Sequence, residues 1–326
     1  MWPGAIPTLA DVYRARGVVR GHLEPTPLLE PPALADRLGC RVFVKCENLQ
    51  PTGAFKVRGG LYLMSRLSDE ERARGVVAAS TGNHGQSIAL AAQMYGAKAT
   101  IFVPEHANTL KVAAMERFGA TVIHEGVDFE ESFAAAREYA QREDIHFVHS
   151  ANEPDLIAGV GTATLEIMER EPDLDAIFVP IGGGSGLCAA CIVGKAINPS
   201  LKVYGVQAEG APAAHDSWRQ RQLVAHGAAQ TFAEGIATRV AYELPARILW
   251  DSVDEIVLVS DADLRRSILT LLETTRMLAE GAGAAGLAGV YRRRETLRNK
   301  KVAIVLSGGN LTLETLAQAL GEERAW

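Results

Sequence analysis

The sequence predicts an α/β protein of two lobes, each a mostly parallel sheet covered by helices, and three observations carry that reading. Short, β-branched apolar runs alternate with helix-periodic segments almost from end to end, the pattern of strands buried on both faces by crossover helices. The runs fall into two series separated by one helical segment. The chain has 326 residues, enough for two lobes rather than one compact domain.

In the first series GVVAAS (75–80) is an apolar run entering a glycine-containing turn, and HGQSIALAAQMYG follows with helical spacing to a closing Gly96, a C-cap position suited to glycine. ATIFVP (99–104) reads as a buried strand, ANTLKVAAMERFG as its helix with Gly119 at the end, and TVIHEG as the next strand. A helix over 129–142 and the run IHFVHS complete the series, and a helical segment over 156–170 carries the chain onward. The second series comprises AIFVPI (176–181), KVYGVQ (202–207), EIVLVS (255–260) and VAIVLS (302–307), each beside a helix-like segment. There is no short tandem repeat, low-complexity tract or Pro/Ser-rich linker. The sequence ends at Trp326, soon after TLETLAQAL, so no appended regulatory domain is expected.

The net charge of −6 and the lack of a basic stripe argue against a nucleic-acid partner, because nothing would replace phosphate counterions. The one basic cluster, at 291–294 with Arg298, Lys300 and Lys301, reads as a helix end and a solvated surface. The N-terminus lacks a basic start followed by an apolar run, and no stretch reaches the roughly 18 apolar residues of a membrane span. Four cysteines in this length make no disulfide scaffold. Cys188 and Cys191 lie in the helical pattern GLCAACIVGKAI and read as core residues at i and i+3. The expected setting is cytoplasmic and reducing.

Four motifs carry chemistry. Lys56 sits in ENLQPTGAFKVRGG, directly after Phe55 and before a helical run. An amine held there loses hydration, which disfavours its charged form, and a neutral amine can attack an aldehyde to form a Schiff base. Taken alone, Lys56 reads more readily as an exposed lysine lying along an aromatic ring. The segment IFVPIGGGSGLCAACIVG is strand, glycine-rich turn and helix, with Gly182, Gly183, Gly184 and Gly186 around Ser185. Inward N–H groups and the positive end of the helix dipole suit a phosphate there without a basic side chain. The alternative is a tight turn with close helix packing. A dinucleotide fingerprint counted from Gly182 fails at Leu187, and a P-loop fails because no lysine precedes Lys195, so a small monophosphate fits best. Ser80, Thr81, Gly82, Asn83, His84 and Gly85 form a second strand-to-helix turn, suited to a carboxylate or, more simply, to N-capping. VAIVLSGGN puts Ser307 at the carboxyl end of a strand, where α/β sheets bind ligands or merely turn.

In this order the motifs resemble the fold-type II pyridoxal-phosphate enzymes, and within them the serine/threonine dehydratase and serine racemase group. The matching stretches are KCENLQPTGAFKVRGG, STGNHGQSIALAA, EPDLIAGVGT, PIGGGSGL, EGIAT, AEGAGAAGLAG and VLSGGN, spread over nearly the whole chain. The resemblance implies a tryptophan synthase β-like fold, with 1–73 and 150–326 as a large cofactor-binding domain, 74–149 as a small mobile domain, and a homodimer. It implies that Lys56 bears pyridoxal 5'-phosphate as a Schiff base and serves as the base at Cα. Phe55 would lie beside the cofactor ring, Asn83 would bond its 3-hydroxyl, and Gly182, Gly183, Gly184, Ser185 and Gly186 would hold the phosphate. Ser307 would meet the pyridine nitrogen, residues 80–84 would receive the substrate carboxylate, and Gly235 and Glu280 would lie near the substrate or cofactor edge.

A serine hydroxyl cannot keep the ring nitrogen protonated as an aspartate would, which favours prompt loss of a β-leaving group over a long-lived carbanion. The implied reaction is β-elimination from a 3-hydroxy amino acid, L-threonine or L-serine by default, yielding a 2-keto acid and ammonia. Within the family the alternatives are a racemase or a dehydratase of a bulkier or acidic substrate such as 3-hydroxyaspartate. A nucleotide-dependent oxidoreductase would need the fingerprint that is missing here, and a non-catalytic binding protein would not need Lys56 and Ser307.

Three positions depart from the family pattern. Ala54 stands where members commonly have serine. Thr81 stands where racemase-like members carry serine and many dehydratases alanine, so its hydroxyl, opposite Lys56, keeps racemisation open. Glu209 and Ala213 match the first two ligands of a divalent-cation site found in some relatives, but His215 takes the third place, with Asp216 one step on. A hard cation prefers oxygen, so Mg2+ or Ca2+ at Glu209 and Ala213 is a weak expectation. Thr238, after EGIA, is a candidate wall of the substrate pocket, and Arg239 beside it would favour an acidic substrate if it pointed inward.

Overall fold

The computed structural model describes residues 4–326 and arranges the strands in two sheets. Helix α1 (Leu9–Val19), strand β1 (Leu28–Leu29), helix α2 (Pro32–Leu38) and strand β2 (Arg41–Cys46) lead to the lysine turn, which opens into α3 (Val57–Arg66) and then α4 (Asp69–Arg74). The first βα series follows as β3 (Val76–Ala79), α5 (Asn83–Met94), β4 (Ala99–Val103), α6 (Thr109–Arg117), β5 (Thr121–His124), α7 (Phe129–Arg142) and β6 (His146–Phe147). Its four strands pair in the order β5-β4-β3-β6, all parallel.

Helix α8 (Pro154–Arg170) leads to β7 (Ala176–Pro180), α9 (Ser185–Ile197), β8 (Lys202–Ala208), α10 (Ala213–Gln220), α11 (Glu243–Ser252) and β9 (Glu255–Val259). Helices α12 (Asp261–Thr275) and α13 (Gly281–Arg293), strand β10 (Lys301–Leu306) and α14 (Leu313–Glu322) complete the chain. The second sheet runs β1-β2-β10-β7-β8-β9, parallel except at β1. All eight strands read from apolar runs are present, β6 cut to two residues.

Strand β2 escaped that reading. Its sequence RVFVKC is buried at every position but the first and pairs with β10 along all six residues, yet Lys45 interrupts the apolar run. Cys188 and Cys191 are buried, free thiols in α9, as their spacing suggested. The basic cluster after α13 is a charged surface: Arg292 pairs with Asp263, Arg293 with Glu255, and Lys301 with Asp173 and Glu171. No described helix is long and apolar enough to cross a membrane.

Lys45 is buried because it belongs to a quartet of charges. Arg58 of α3, wholly withdrawn from solvent, grips Glu47 through two bonds of 2.7 and 2.8 Å and Glu166 of α8 through two of 2.7 and 2.9 Å. Lys45 Nζ completes the set, donating to Glu166 at 2.5 Å and to the Thr26 carbonyl at 2.6 Å. Burial by itself would raise the Glu47 carboxyl, but Arg58 and Lys45 outweigh it and hold the group below its ordinary value. Close helix crossings frame the quartet. A Cβ on Gly159 of α8 would lie 2.6 Å from the Arg58 carbonyl oxygen, and one on Gly60 of α3 would lie 2.5 Å from Ser87 Oγ of α5.

Removing one member of such a cluster strands a buried counter-charge. Arg58→Met is expected to destabilise the fold by about 3–5 kcal/mol, measured as the shift in the denaturant midpoint. A midpoint within error of wild type would show that the quartet does not hold this crossing.

Candidate active site

A cleft opens between the two sheets at the carboxyl ends of their strands, the place where open α/β sheets bind ligands. Phe55, Lys56, Pro180, Gly182, Gly183, Gly184, Ser185, Gly186, Gly235, Glu280, Ala282 and Ser307 line it from the six-stranded lobe. Ala79, Ser80, Thr81, Gly82, Asn83, His84, Lys111 and Phe129 line it from the four-stranded lobe.

Lys56 is the residue before α3, and its turn is stitched to the end of β10. The Phe55 N–H donates to the Ser307 carbonyl at 3.0 Å, Ala54 bridges Gly308, and Ser87 Oγ donates to the Lys56 carbonyl at 2.7 Å. The Lys56 amine reaches across the cleft to Ser185 Oγ, 2.9 Å away. Burial disfavours its charged form and lowers its pKa from 10.5 to about 8. Desolvation, predicted from the sequence as the activating cause, is the cause found here.

The glycine cradle lies where β7 gives way to α9. A Cβ on Gly182 would fall 2.1 Å from the Gly235 carbonyl oxygen, so this glycine lets two loops touch. Gly184 takes a left-handed backbone (φ +101°) against the Pro245 ring, a conformation favouring glycine. The first-turn N–H groups of α9 have no intrahelical acceptor, and the Ser185 hydroxyl stands beside them. Phe55 packs under the cradle, 3.2 Å from where a Gly186 side chain would begin.

In the 80–85 turn the Ser80 hydroxyl accepts bonds from the Gly82 and Gly85 N–H groups, at 3.1 and 2.9 Å. These bonds hold the turn against the first turn of α5. Thr81 and Gly82 face the cleft half-buried. Asn83 Nδ2 donates to Glu280 Oε1 at 2.6 Å, and its Oδ1 accepts from Asn310 Nδ2 at 2.7 Å. Burial raises the Glu280 carboxyl to about 7 against the opposing pull of that Asn83 bond. His84 is buried, with the Val148 backbone as a hydrogen-bonding neighbour of its ring. Burial, with the nearby Lys56 charge, lowers its pKa to about 3, so the ring is neutral.

Two expected sites are placed elsewhere. Thr238 is not among the cleft-lining residues; its buried hydroxyl has no partner. Arg239 is engaged by Asp128 and Glu130 and does not serve the cleft. Glu209 lies 3.5 Å from Arg292, while His215 Nδ1 is 2.8 Å from Asp216. Ala213 is the buried first residue of α10. Among the described residues no group of three or more His, Cys, Asp or Glu could hold a metal ion. The sequence reading missed Lys111, Phe129, Ser150, Glu234 and Ala282, which line the cleft, and Asn310 behind Asn83. Glu234, Ala282 and Asn310 lay in the quoted stretches EGIAT, AEGAGAAGLAG and VLSGGN without being singled out; Lys111 carried a fainter signal, a basic residue in a helix's first turn.

If burial sets the Lys56 pKa, amine-selective acylation followed by mass spectrometry should show labelling at Lys56 that rises with pH and half-saturates at about 8. An apparent midpoint near the ordinary 10.5 would mean the amine is hydrated.

These residues fit pyridoxal phosphate. One amine with a lowered pKa, a glycine-rich anion cradle whose Ser185 hydroxyl bonds that amine, and an uncharged strand-end hydroxyl would suit its aldehyde, phosphate and ring. The family model for pyridoxal-phosphate-dependent enzymes matches residues 19–308. An L-threonine ammonia-lyase of Thermotoga maritima is 40% identical over 315 residues, covering 97% of this chain and 78% of the relative. An L-threo-3-hydroxyaspartate ammonia-lyase of Saccharomyces cerevisiae is 37% identical, covering 96% of each chain. The solved structure of maize serine racemase superposes with a TM-score of 0.91 over 98% of both chains at 28% identity. The chain belongs to the pyridoxal-phosphate-dependent enzyme family.

Proposed function

We propose that this protein is an ammonia-lyase that eliminates water from a 3-hydroxy amino acid, L-threonine or L-serine by default, and releases a 2-keto acid and ammonia. One observation carries the reading: the desolvated Lys56 amine stands 2.9 Å from Ser185 of the glycine cradle, with a serine rather than an acid at the adjoining strand end. Similarity to enzymes named L-threonine ammonia-lyase and L-threo-3-hydroxyaspartate ammonia-lyase supports it.

Lys56, Asn83, Gly182, Gly183, Gly184, Ser185, Gly186 and Ser307 would hold pyridoxal phosphate, which when bound supplies an electron sink for charge developing at the substrate Cα. Lys56 is the base that takes the Cα proton, a task suited to an amine tuned near the working pH. Residues 80–84 receive the α-carboxylate. The hydroxyl leaves the β-carbon as water, and the resulting enamine tautomerises and hydrolyses to the keto acid and ammonia. Ser307 lends no formal charge to the ring edge, which favours elimination. The same reading carries a mobile small domain at 74–149, a homodimer and a cytoplasmic setting.

A second activity has its own observation. The Thr81 hydroxyl lines the cleft on the small-lobe side, where it can return a proton to the opposite face of Cα, and a serine racemase of Dictyostelium discoideum is 32% identical to this chain.

Holoenzyme should show a visible absorbance band and release keto acid and ammonia from a panel of 3-hydroxy amino acids. Lys56→Ala should lose the band and about 10²–10⁴-fold or more of the rate, the span of a lost general base. A colourless wild type saturated with cofactor would sink the reading. Thr81→Ala should abolish racemisation while dehydration continues; racemisation that persists in this variant removes Thr81 from the proposal.

A further inference from the structure

Lys111 is the second lysine of the cleft, and nothing in the lyase chemistry above uses it. Building on that lyase reading, we propose that Lys111 binds the distal carboxylate of an acidic 3-hydroxy amino acid, taking it in exchange for Glu234, and so selects a substrate with two carboxylates.

The placement is the first argument. Lys111 is the third residue of α6, whose N-cap Asn108 accepts bonds from the Leu110 and Lys111 N–H groups. A helix's first turn is its positive end and ordinarily favours acids. A lysine there breaks the local rule, and its side chain is only 17% exposed. An ammonium largely withdrawn from water at a positive helix end needs an anion opposite it.

The present anion is the second argument. The Lys111 amine pairs with Glu234 across the cleft, and Glu234 is 57% exposed. It sits in the short helical turn that carries Gly235, against the cradle. A carboxylate so hydrated loses little on returning to water, so an incoming carboxylate can replace it at small cost.

The surroundings are the third argument. Besides Lys56, no other lysine or arginine lines the cleft, and the adjacent His84 is neutral. The 80–85 turn and α6 share the small-lobe wall, packed together where Met115 lies over Gly85. One wall therefore offers a turn for the α-carboxylate and an ammonium for the second carboxylate. Glu280, which feels the Lys111 charge, titrates near neutrality and can take up a proton when a dianion enters.

The test compares holoenzyme of wild type, Lys111→Met and Glu234→Gln with L-threo-3-hydroxyaspartate and L-threonine. The ratio of kcat/KM for the acidic substrate over the neutral one should fall about 10- to 100-fold in Lys111→Met, the loss of a charged hydrogen bond, and should rise in Glu234→Gln. A ratio unchanged in Lys111→Met overturns the assignment. L-aspartate and L-alanine, which have no β-hydroxyl to lose, give a binding readout through the shift each causes in visible absorbance. Lys111→Met should weaken L-aspartate alone; equal weakening of both, or of neither, overturns the assignment. If the wild type turns over no 3-hydroxy amino acid, the lyase reading fails, and the titration still decides whether Lys111 receives a second carboxylate.

Discussion

Four buried charges that cancel, Lys45, Glu47, Arg58 and Glu166, decide where the lysine turn sits. They arrive from β2, the short turn after it, α3 and α8, so their bonds tie the large sheet to the helix that begins one residue after Lys56. A buried ion cluster contributes little net stability compared with a well-packed apolar one. What it supplies is geometry: the Arg58 fork meets two carboxylates at once, and α3 cannot rotate or slide without stranding a charge. The glycine crossings extend that constraint. Because Gly59 and Gly159 let α3 and α8 approach backbone to backbone, and Gly60 admits Ser87, α3 is wedged between elements of both lobes. Ser87 then bonds the Lys56 carbonyl itself.

With the turn fixed, burial sets the chemistry of the cleft. The same loss of hydration lowers Lys56 to about 8, raises Glu280 to about 7 and lowers His84 to about 3. Each group moves toward its neutral form, which is the direction desolvation dictates for acids and bases alike. Both the lysine and the glutamate are thereby brought close to neutral pH. The strand-end serine adds no charge. A cleft of this kind supplies a base without surrounding it with fixed countercharges that would hold it protonated.

The alternating apolar runs made the two sheets legible, because a strand buried on both faces needs an unbroken apolar sequence. They failed at β2 for a physical reason: Lys45 can lie in a buried strand only because Glu166 arrives from a helix more than a hundred residues away, and no local pattern announces such a partner. The lysine turn, the glycine cradle and Ser307 were legible because backbone geometry demanded particular residues at each. Ser80 shows the limit of that approach. Its hydroxyl suited a ligand or a cap equally, and only the folded turn shows the two N–H groups it accepts from. Lys111 and Glu234 meet across the cleft from segments more than a hundred residues apart, so their pairing belongs to the tertiary structure alone.

The polar bonds across the cleft gather at its walls: Asn83 to Glu280 and Asn310, and Lys111 to Glu234. Side-chain bonds of this sort are worth about 1 kcal/mol each, while the α3, α5 and α8 packing beneath them is close and glycine-mediated. Opening the mouth would break weak bonds and leave the base of the cleft, with Lys56, in place. The same bonds run through side chains that a ligand would contact, Asn83 and Lys111 above all. In the mobile small domain we propose, a bound substrate would thus exchange lobe-to-lobe contacts for its own, and the free energy of closing would depend on which groups the substrate brings to those positions.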